Sequence, residues 1–392
     1  MGRDALSGIR ILDLSRLLPF EYCTLFLADF GAEVLKIEEP GKGDYMRWLP
    51  PRLKHENAQF LMVNRNKESL TLNLRSEKGK DILLRLVKDY DVLFESFRPG
   101  VMDKLGLGYK ELCALNPGIV YCSATGYGQS GPYKDLVGHD LNYISIAGIL
   151  GATGQHLDAP VIPGIPFADM STGLFCAFSI LTGLMARKET GKGQHIDVSM
   201  TDLMVSYNVL HIANYLGGVK YGESDTLAIT GESAYYNVYK TKDGKFICIA
   251  NVESKFWDNF CRLVGKEHMM ENQFADINEQ KKRISELKEL FLKKNRDEWI
   301  EFFKDDDVCV SPVYSSEEVL EDEHLNARGL FYDVEHPTEG KIVQIGMPAK
   351  FSDTPAKFRS PAPQLGENTN NVLSKLGYSI EEISNLKKQG VI

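Results

Sequence analysis

Several patterns that define common functional classes are missing from this chain. The first strand-to-helix turn carries Leu14-Ser15-Arg16-Leu17-Leu18-Pro19 in place of G-x-G-x-x-G, which disfavours a dinucleotide cofactor. The glycines at 190–193 do not fit the phosphate-binding pattern G-x-x-x-x-G-K-[ST] and are typical of a helix end. Because the histidines show no H-E-x-x-H or comparable ligand spacing, the sequence implies no metal.

The cysteines and the apolar runs argue against two further classes. The seven cysteines are odd in number and form no C-x-x-C pair, which favours a reducing compartment without a disulfide or zinc framework. The longest nearly apolar run, 173–186, is shorter than the roughly 20 residues of a membrane span. Residues 1–8 lack a basic segment followed by an apolar one, so no signal peptide is predicted. We expect a cytoplasmic protein with no membrane partner.

The composition is that of an ordinary folded protein. The 392 residues suffice for two domains, because a single core usually stops growing near about 250–300 residues. Hydrophobic residues make up 43% and charged residues 25%, which argues against a disordered or fibrous chain. The net charge is −9 and the basic residues are scattered, so no nucleic-acid partner is expected.

The N-terminal part alternates short apolar strands with helices. Strands are predicted at 9–14, 32–38, 70–74, 92–94 and 119–124, and helices at 21–30 and 76–89. This alternation predicts an α/β fold with a Rossmann-like, doubly wound, mostly parallel sheet that binds ligands at the carboxyl ends of its strands. The stretch that continues through about Tyr215 is predicted to be helical.

A change of composition near Glu223 predicts a second, smaller domain. Strands are expected at 235–239 and 245–250, and charge-rich helices with apolar residues at helical spacing follow them. From about 329 the chain is predicted to form a strand at 340–343, a turn-rich stretch and a final helix. The small domain is therefore predicted to be of the α+β class.

Asp169 lies at a position suited to chemistry. It immediately precedes the long apolar run, and so stands at the predicted N-terminus of a buried helix. Backbone N–H groups and the helix dipole stabilise negative charge there, both on the carboxylate and on an oxyanion forming beside it. On spacing alone, the alternative that Asp169 is an ordinary first-turn residue stays open.

His139 and Glu253 carry weaker signals. An isolated histidine is more often a hydrogen-bonded structural residue than a catalytic one. Glu253 ends an apolar strand, where a polar loop residue is the ordinary explanation. Spacing by itself assigns a role to neither.

A colinear set of motifs extends across essentially the whole chain. The motifs are Leu12-Asp13-Leu14-Ser15, Ala28-Asp29-Phe30-Gly31-Ala32-Glu33-Val34-Leu35-Lys36-Ile37-Glu38, Gly43-Asp44, Asn64-Arg65-Asn66-Lys67-x-Ser69-Leu70-x-Leu72-Asn73-Leu74, Glu95-Ser96-Phe97-Arg98-Pro99-Gly100, Thr190-Gly191-Lys192-Gly193-Gln194 and Leu365-Gly366-Glu367-Asn368-Thr369. Together they resemble CoA-transferase family III, also called the CaiB/BaiF family. The resemblance implies a large domain at 1–222 completed by 329–392, a small α+β domain at 223–328, and an interlocked homodimer. It also implies an acyl-CoA substrate, with coenzyme A as part of that substrate and no permanently bound cofactor.

The same resemblance implies which residues bind coenzyme A. They are Leu72, Asn73, Arg75, Ser96, Phe97, Arg98, Lys104, Gly138 and Tyr143. The cationic members Arg75, Arg98 and Lys104 suit the phosphate groups, because cationic donors make charge-assisted hydrogen bonds to them.

The family contains two chemistries that use one aspartate, whose position here is Asp169. In transferases the aspartate attacks the thioester and forms a mixed anhydride. In α-methylacyl-CoA racemases an aspartate and a histidine exchange the α-proton across a planar enolate. The segment Gly138-His139-Asp140-Leu141-Asn142-Tyr143 resembles the histidine-bearing segment of the racemases, and Glu253 matches their supporting glutamate.

We therefore expect a 2-methylacyl-CoA racemase that uses His139 and Asp169, since inversion removes a proton on one face and returns one on the other. Asp140 and Glu253 are expected to orient and charge-balance the pair, and the helix N-terminus at Asp169 to stabilise the enolate oxygen. The alternatives are CoA transfer to an acceptor carboxylic acid through an Asp169 mixed anhydride, and a non-catalytic CoA-binding subunit. Glu39 and Asn368 depart from an arginine and a histidine that are frequent in the family, and both bear on the preferred thioester.

Overall fold

The computed structural model describes residues 3–154, 159–219 and 230–392. Its strands are β1 (Arg10–Leu14), β2 (Glu33–Glu38), β3 (Lys67–Thr71), β4 (Val92–Glu95), β5 (Val120–Thr125), β6 (His195–Ser199), β7 (Tyr236–Lys240), β8 (Phe246–Ala250), β9 (Val310–Val313), β10 (Phe331–His336) and β11 (Gly340–Ile345). Its α-helices are α1 (Leu18–Asp29), α2 (Ala58–Val63), α3 (Glu77–Val87), α4 (Val101–Lys104), α5 (Tyr109–Leu115), α6 (Asp140–Ile146), α7 (Ile149–Ala152), α8 (Phe167–Thr190), α9 (Met200–Tyr207), α10 (Val209–Leu216), α11 (Ser254–Leu263), α12 (Ile277–Phe291), α13 (Arg296–Phe303), α14 (Ser316–Glu321), α15 (Glu323–Ala327), α16 (Thr369–Lys375) and α17 (Ile380–Lys388). Short 3-10 helices occupy Tyr45–Trp48 and Glu267–Met269.

Six strands form one parallel sheet in the order β3-β2-β1-β4-β5-β6. The central strand β1 pairs with β2 on one side and with β4 on the other, so the chain reverses its direction of winding between β1 and β4. Doubly wound sheets bind their ligands at such a switch point, outside the carboxyl ends of the strands. The predicted α/β class with a parallel sheet is confirmed.

Helices cover both faces of this sheet, which is why its strands read as nearly continuous apolar runs. On one face, Leu12 and Leu35 pack with Ile82 of α3 and with Leu373 of α16. On the other face, residues of α1 and α8 pack against strand residues such as Ile11. The apolar stretch of α8 is long and apolar enough by length and composition to cross a membrane, yet this helix contributes Cys176 and Ile180 to the second face.

A second, antiparallel sheet has the strand order β7-β8-β9. Its core is aromatic: Trp257 stacks on Phe260, and Trp299 packs edge-on against Phe291. The indole N–H of Trp257 donates to the Met269 carbonyl at 2.9 Å, so this large side chain is buried with its polar atom satisfied.

Contacts along the described chain separate two compact units. The first comprises Met1–Ala147, Gly164–Ser206 and His324–Ile392, and the second comprises Gly148–Pro163 and Tyr207–Glu323. The parallel sheet belongs to the first unit and the antiparallel β7–β9 sheet to the second. The division into domains at 1–222, 223–328 and 329–392 remains a prediction. Its first boundary, between residues 222 and 223, lies outside the described residues.

The C-terminal return of the first unit is fastened by buried polar contacts. The Arg65 guanidinium forms an ion pair with Asp29 at 2.6 Å and donates to Gln344 of β11 at 2.9 Å. The Asn368 side-chain oxygen accepts from the Ser69 N–H, and the Asn368 N–H donates to the Ser69 carbonyl, each at 2.9 Å. The motif around Asn368 is thus hydrogen-bonded to the edge strand β3.

Two predicted elements are wrong in detail. Strand β3 begins at Lys67 and ends at Thr71, because the Asn73 N–H leaves the sheet to donate to the Val391 carbonyl at 2.8 Å. The stretch through Tyr215 is interrupted by β6, which pairs with β5 at the edge of the sheet. The sequence did not predict β6 as a strand, because its exposed residues His195 and Asp197 interrupt the apolar pattern.

Candidate active site

A cleft of about 560 Å³ opens at the carboxyl ends of the parallel strands, beside the switch point between β1 and β4. It lies within the first unit. Its walls come from the turn after β1, the segment after β4, the segment after β5 and the first turn of α8. The lining residues are Leu17, Pro19, Phe20, Tyr45, Ser96, Phe97, Arg98, Pro99, Ala124, Thr125, Gly126, Tyr127, Lys134, Leu136, Val137, Gly138, His139, Asn142, Tyr143, Asp169 and Met200.

Asp169 is placed in this cleft by the close approach of α8 to α1. Gly173, one turn after Asp169, lies where an added Cβ atom would come within 2.2 Å of the Pro19 carbonyl oxygen. Only glycine permits this distance, and it brings the first turn of α8 against the turn after β1. The predicted location of Asp169 in the first turn of a helix agrees with the structure, but this helix buries only one face rather than its whole length.

The Asp140 carboxylate caps this helix. Its Oδ1 accepts hydrogen bonds from the Ala168 N–H at 2.6 Å and from the Asp169 N–H at 3.2 Å. Pro166, the residue at the N-cap position, offers no side-chain acceptor, so a residue of α6 supplies the cap that α8 lacks. Asp140 therefore orients the backbone that carries Asp169.

This arrangement corrects one expectation. The first-turn N–H groups were predicted to stabilise an enolate oxygen, but those of Ala168 and Asp169 donate to Asp140, and that of Met170 donates to the Pro166 carbonyl at 3.0 Å. An oxyanion in the cleft consequently requires a further donor.

The Asp169 carboxyl titrates near neutrality. Burial raises its pKa to about 7, and repulsion by the Asp140 carboxylate adds to the rise. A group with this pKa accepts and donates protons with comparable ease at neutral pH, which suits a general acid and base.

His139 lies in the same cleft, at the residue preceding α6. Its N–H donates to the Asn142 side-chain oxygen at 3.0 Å, and its carbonyl accepts from the Asn142 N–H at 2.8 Å. The Tyr143 hydroxyl donates to the Gly138 carbonyl at 2.5 Å, and the Tyr143 ring packs edge-on against Tyr127. The backbone on both sides of His139 is thus fixed, while its imidazole is exposed to the cleft.

The segment after β4 contributes Ser96, Phe97 and Arg98. The Phe97 N–H donates to the Glu95 carboxyl at 2.7 Å, and burial raises the pKa of Glu95 to about 7. The Ser96 hydroxyl accepts from the Arg16 N–H at 3.2 Å, and the Arg16 guanidinium lies 5.4 Å from the centre of the Phe97 ring. These contacts join the two segments on either side of the switch point.

The turn after β1 is held by a buried charge cluster. Lys36 is fully buried, and its ammonium lies 2.8 Å from Glu21 and 3.2 Å from Asp44. The same Asp44 oxygen accepts from the Leu17 N–H at 3.0 Å. Leu17 has a φ of 67°, a left-handed conformation that costs a non-glycine residue free energy and persists when neighbours impose it.

The structure separates the predicted CoA-binding residues into two groups. Ser96, Phe97, Arg98, Gly138 and Tyr143 line the cleft with His139 and Asp169. Leu72, Asn73, Arg75 and Lys104 are outside its lining, and Arg75 and Lys104 are exposed cations. Leu72 is only 2% exposed, and its side chain packs in the core.

Glu253 belongs to the second unit. It is exposed and precedes α11, where its carbonyl accepts from the N–H groups of Phe256 and Trp257 at 3.0 and 3.2 Å. Its predicted supporting role stays a prediction.

The cleft residues that reasoning from the sequence missed include Tyr45, Tyr127 and Lys134. Tyr45 directly follows the motif Gly43-Asp44, and this adjacency was the available signal. Tyr127 and Lys134 follow β5 closely, and the carboxyl end of a parallel strand is where ligand-binding residues are expected.

Comparison with known proteins agrees with this fold and site. The sequence profile of CoA-transferase family III matches residues 6–369. The chain therefore belongs to this family and is an acyl-CoA enzyme.

Curated relatives include members with different reactions. An acyl-CoA transferase of Fusarium pseudograminearum is 36% identical over 410 residues, covering 100% of this chain and 89% of the relative. The human alpha-methylacyl-CoA racemase is 34% identical over 399 residues, covering 99% of this chain and 97% of the relative. Because the two sequence identities are so similar, they do not distinguish the transferase reaction from the racemase reaction.

Among solved structures, a CaiB/BaiF family protein from Brucella suis superposes with a TM-score of 0.83 at 29% identity. The match covers 96% of this chain and 100% of that protein.

Proposed function

We propose that the chain is a 2-methylacyl-CoA racemase that moves the α-proton between His139 and Asp169. The observation that supports this reaction is that both side chains line one cleft at the switch point of the parallel sheet. A nucleophilic aspartate alone would need no partner base, whereas inversion at carbon needs two.

In the proposed reaction the thioester carbonyl acidifies the neighbouring C–H bond. One group, as a base, removes the α-proton, and the electron pair of that bond moves onto the thioester oxygen as a planar enolate forms. The other group, protonated, returns a proton to the opposite face of the same carbon. The pKa of about 7 at Asp169 keeps both of its protonation states populated at neutral pH.

Asp140 acts through Asp169 and is a positioning residue. It holds the N–H groups of residues 168 and 169, and its charge contributes to the raised pKa of Asp169. Glu253 is proposed to support the pair in the assembled enzyme.

The acyl-CoA enters with its coenzyme portion bound by the predicted residues, and no resident cofactor takes part. Arg98 lines the cleft, and the exposed cations Arg75 and Lys104 are proposed to bind the phosphate groups. The backbone around Leu72 and Asn73 is proposed to contact the adenosine end.

A second candidate is CoA transfer to an acceptor carboxylic acid. The Asp169 carboxylate would attack the thioester carbon, and the thiolate of coenzyme A would leave as a mixed anhydride forms. The thiolate would then attack the Asp169 carbonyl of this anhydride, which releases the donor acid and leaves an Asp169 thioester. The acceptor carboxylate would attack that thioester, and the thiolate would attack the acceptor carbonyl of the second anhydride to give the new thioester and free Asp169. The 36% identity to the Fusarium acyl-CoA transferase supports this second reaction.

We also propose that the enzyme is a homodimer of interlocked chains in the cytoplasm. Helix α8 presents large apolar side chains away from its buried face. Leu174, Phe178 and Met185 are 55%, 60% and 72% exposed. Their spacing of four and seven residues places them on one side of the helix, where a second chain would cover them.

The reaction is tested by incubating a single epimer of a 2-methylacyl-CoA in deuterated water without any acceptor acid. We expect deuterium at the α-carbon together with loss of optical purity. Asp169→Asn and His139→Gln should each slow exchange by about 10²–10⁴-fold, the usual contribution of a general acid or base. Asp202→Asn, an exposed aspartate in the first turn of α9, and His324→Gln, an exposed histidine, are matched controls and should exchange at the wild-type rate.

Two other results would replace the proposal. If exchange is absent, but an added carboxylic acid yields a new thioester and hydroxylamine traps an acyl group at Asp169, the enzyme is a transferase. If neither reaction occurs while coenzyme A binds, the chain is a CoA-binding subunit.

A further inference from the structure

The proposed reaction places a negative charge on the thioester oxygen, and the cleft must supply a donor for it. The N–H groups of Ala168 and Asp169, which face the cleft from α8, already donate to the Asp140 carboxylate. The Tyr143 hydroxyl, another cleft donor, is engaged by the Gly138 carbonyl. The lining also holds the hydroxyl donors of Tyr45, Thr125 and Tyr127, any of which can meet the developing charge.

Tyr45 is placed to be this donor. Its side chain lines the cleft together with Asp169 and is 47% exposed. The phenol lies within electrostatic range of both the Arg16 cation and the Asp169 carboxyl. Burial and the Asp44 and Asp169 carboxylates raise its pKa, which keeps the hydroxyl protonated at neutral pH.

The backbone that carries Tyr45 is rigidly anchored. One oxygen of Asp44 accepts from the Met46 N–H at 2.9 Å and so caps the short helix that Tyr45 begins. The other oxygen is fixed by the Leu17 N–H and by the buried Lys36 ammonium. A fixed backbone limits how far the Tyr45 side chain must move when charge develops, and preorganised donors stabilise a transition state strongly.

We propose that the Tyr45 hydroxyl donates a hydrogen bond to the thioester oxygen as that oxygen becomes an enolate, making Tyr45 a catalytic residue. This inference rests on the proposed racemase function. The α-C–H bond breaks, its proton passes to Asp169 or His139, and its electron pair moves to the thioester oxygen. Tyr45 keeps its own proton throughout and donates the hydrogen bond more strongly to the enolate than to the ground-state carbonyl.

The test compares Tyr45→Phe with wild type in the deuterium-exchange assay. Removing one oxyanion donor should lower kcat by about 100-fold. The KM for the acyl-CoA should change by less than about threefold, because the aromatic ring of residue 45 is retained. Tyr133→Phe is the matched control, since Tyr133 is 49% exposed, lies outside the cleft lining, and packs its ring against Tyr127. It should leave both constants unchanged.

A merely steric role for Tyr45 makes a different prediction. In that case the Tyr45→Phe variant would exchange the α-proton at the wild-type rate, and the Tyr45→Ala variant would mainly raise KM. This result would overturn the inference about Tyr45 and leave the proposed racemase function intact. Absence of exchange in the wild-type enzyme would overturn both. Equal thermal unfolding midpoints for Tyr45→Phe and wild type are required before the kinetic loss is assigned to chemistry.

Discussion

At the residue scale, the site depends on two carboxyl groups with different tasks. Asp140 is held by the N–H groups of Ala168 and Asp169 and serves the helix end. Asp169 has no comparable anchor on its own oxygens among the hydrogen bonds of the described residues, and burial raises its pKa to about 7. One carboxyl group thus caps a helix, while the environment of the other prepares it to exchange a proton.

Asp140→Asn should move the pH profile of the enzyme. The substitution keeps an oxygen for the two N–H groups but removes the charge that helps to raise the Asp169 pKa. For the epimer whose α-proton Asp169 removes, kcat/KM rises with pH as Asp169 ionises, with a midpoint near 7 in wild type. The midpoint should fall in the variant. An unchanged or higher midpoint, measured by α-proton exchange from about pH 5 to pH 9, would show that the two carboxyl groups are not coupled.

At the element scale, the contact between α8 and α1 determines where the catalytic aspartate stands. The contact is close because Gly173 faces the Pro19 carbonyl without a side chain. Pro19 itself lines the cleft, so one helix crossing sets both the position of Asp169 and the adjoining wall.

Gly173→Ala should therefore weaken both folding and catalysis. The added methyl group would meet the Pro19 carbonyl at 2.2 Å, so α8 has to shift, and overpacking of this kind costs about 1–3 kcal/mol. Chemical denaturation measures the stability, and α-proton exchange the activity. Gly164→Ala is the control, because an added Cβ there meets no atom within 4 Å. Wild-type stability in Gly173→Ala would contradict the packing described here.

The elements of the parallel sheet were largely predictable from the sequence, since strands buried on both faces must be apolar over most of their length. Strand β6 was not, because it lies at the sheet edge and exposes His195 and Asp197. The resemblance to family motifs predicted Asp169 and His139 as catalytic residues. Tyr45 follows the motif Gly43-Asp44, but the motif does not reveal that its side chain lines the cleft, because this placement depends on Lys36 of another strand and on a turn in a left-handed conformation.

At the scale of the whole molecule, the exposed apolar side of α8 is the feature on which the proposed dimer depends. Phe178 and Phe175 are in contact at 5.8 Å between ring centres and are 60% and 39% exposed, so together they form a patch unsuited to water.

Sedimentation should give twice the 44.0 kDa mass of one chain. Phe178→Asp should weaken association by about 100-fold or more, because burial of phenylalanine contributes about 1.5–3 kcal/mol per chain and the change occurs in both chains. Ile380→Asp, which alters another apolar side chain at 81% exposure on α17, should leave the mass unchanged. A wild-type protein that sediments as a single chain would refute the dimer.

The Lys36 cluster also limits how the enzyme can adapt to different acyl chains. Because Asp44 binds Lys36, Leu17 and Met46 at once, the wall that carries Tyr45 cannot retreat without separating a fully buried ion pair. The wall that includes Leu136 and Val137 is more open, since these side chains are 55% and 67% exposed. Accommodation of longer or bulkier thioesters therefore falls to this wall, and engineering of the substrate range should begin with these two residues.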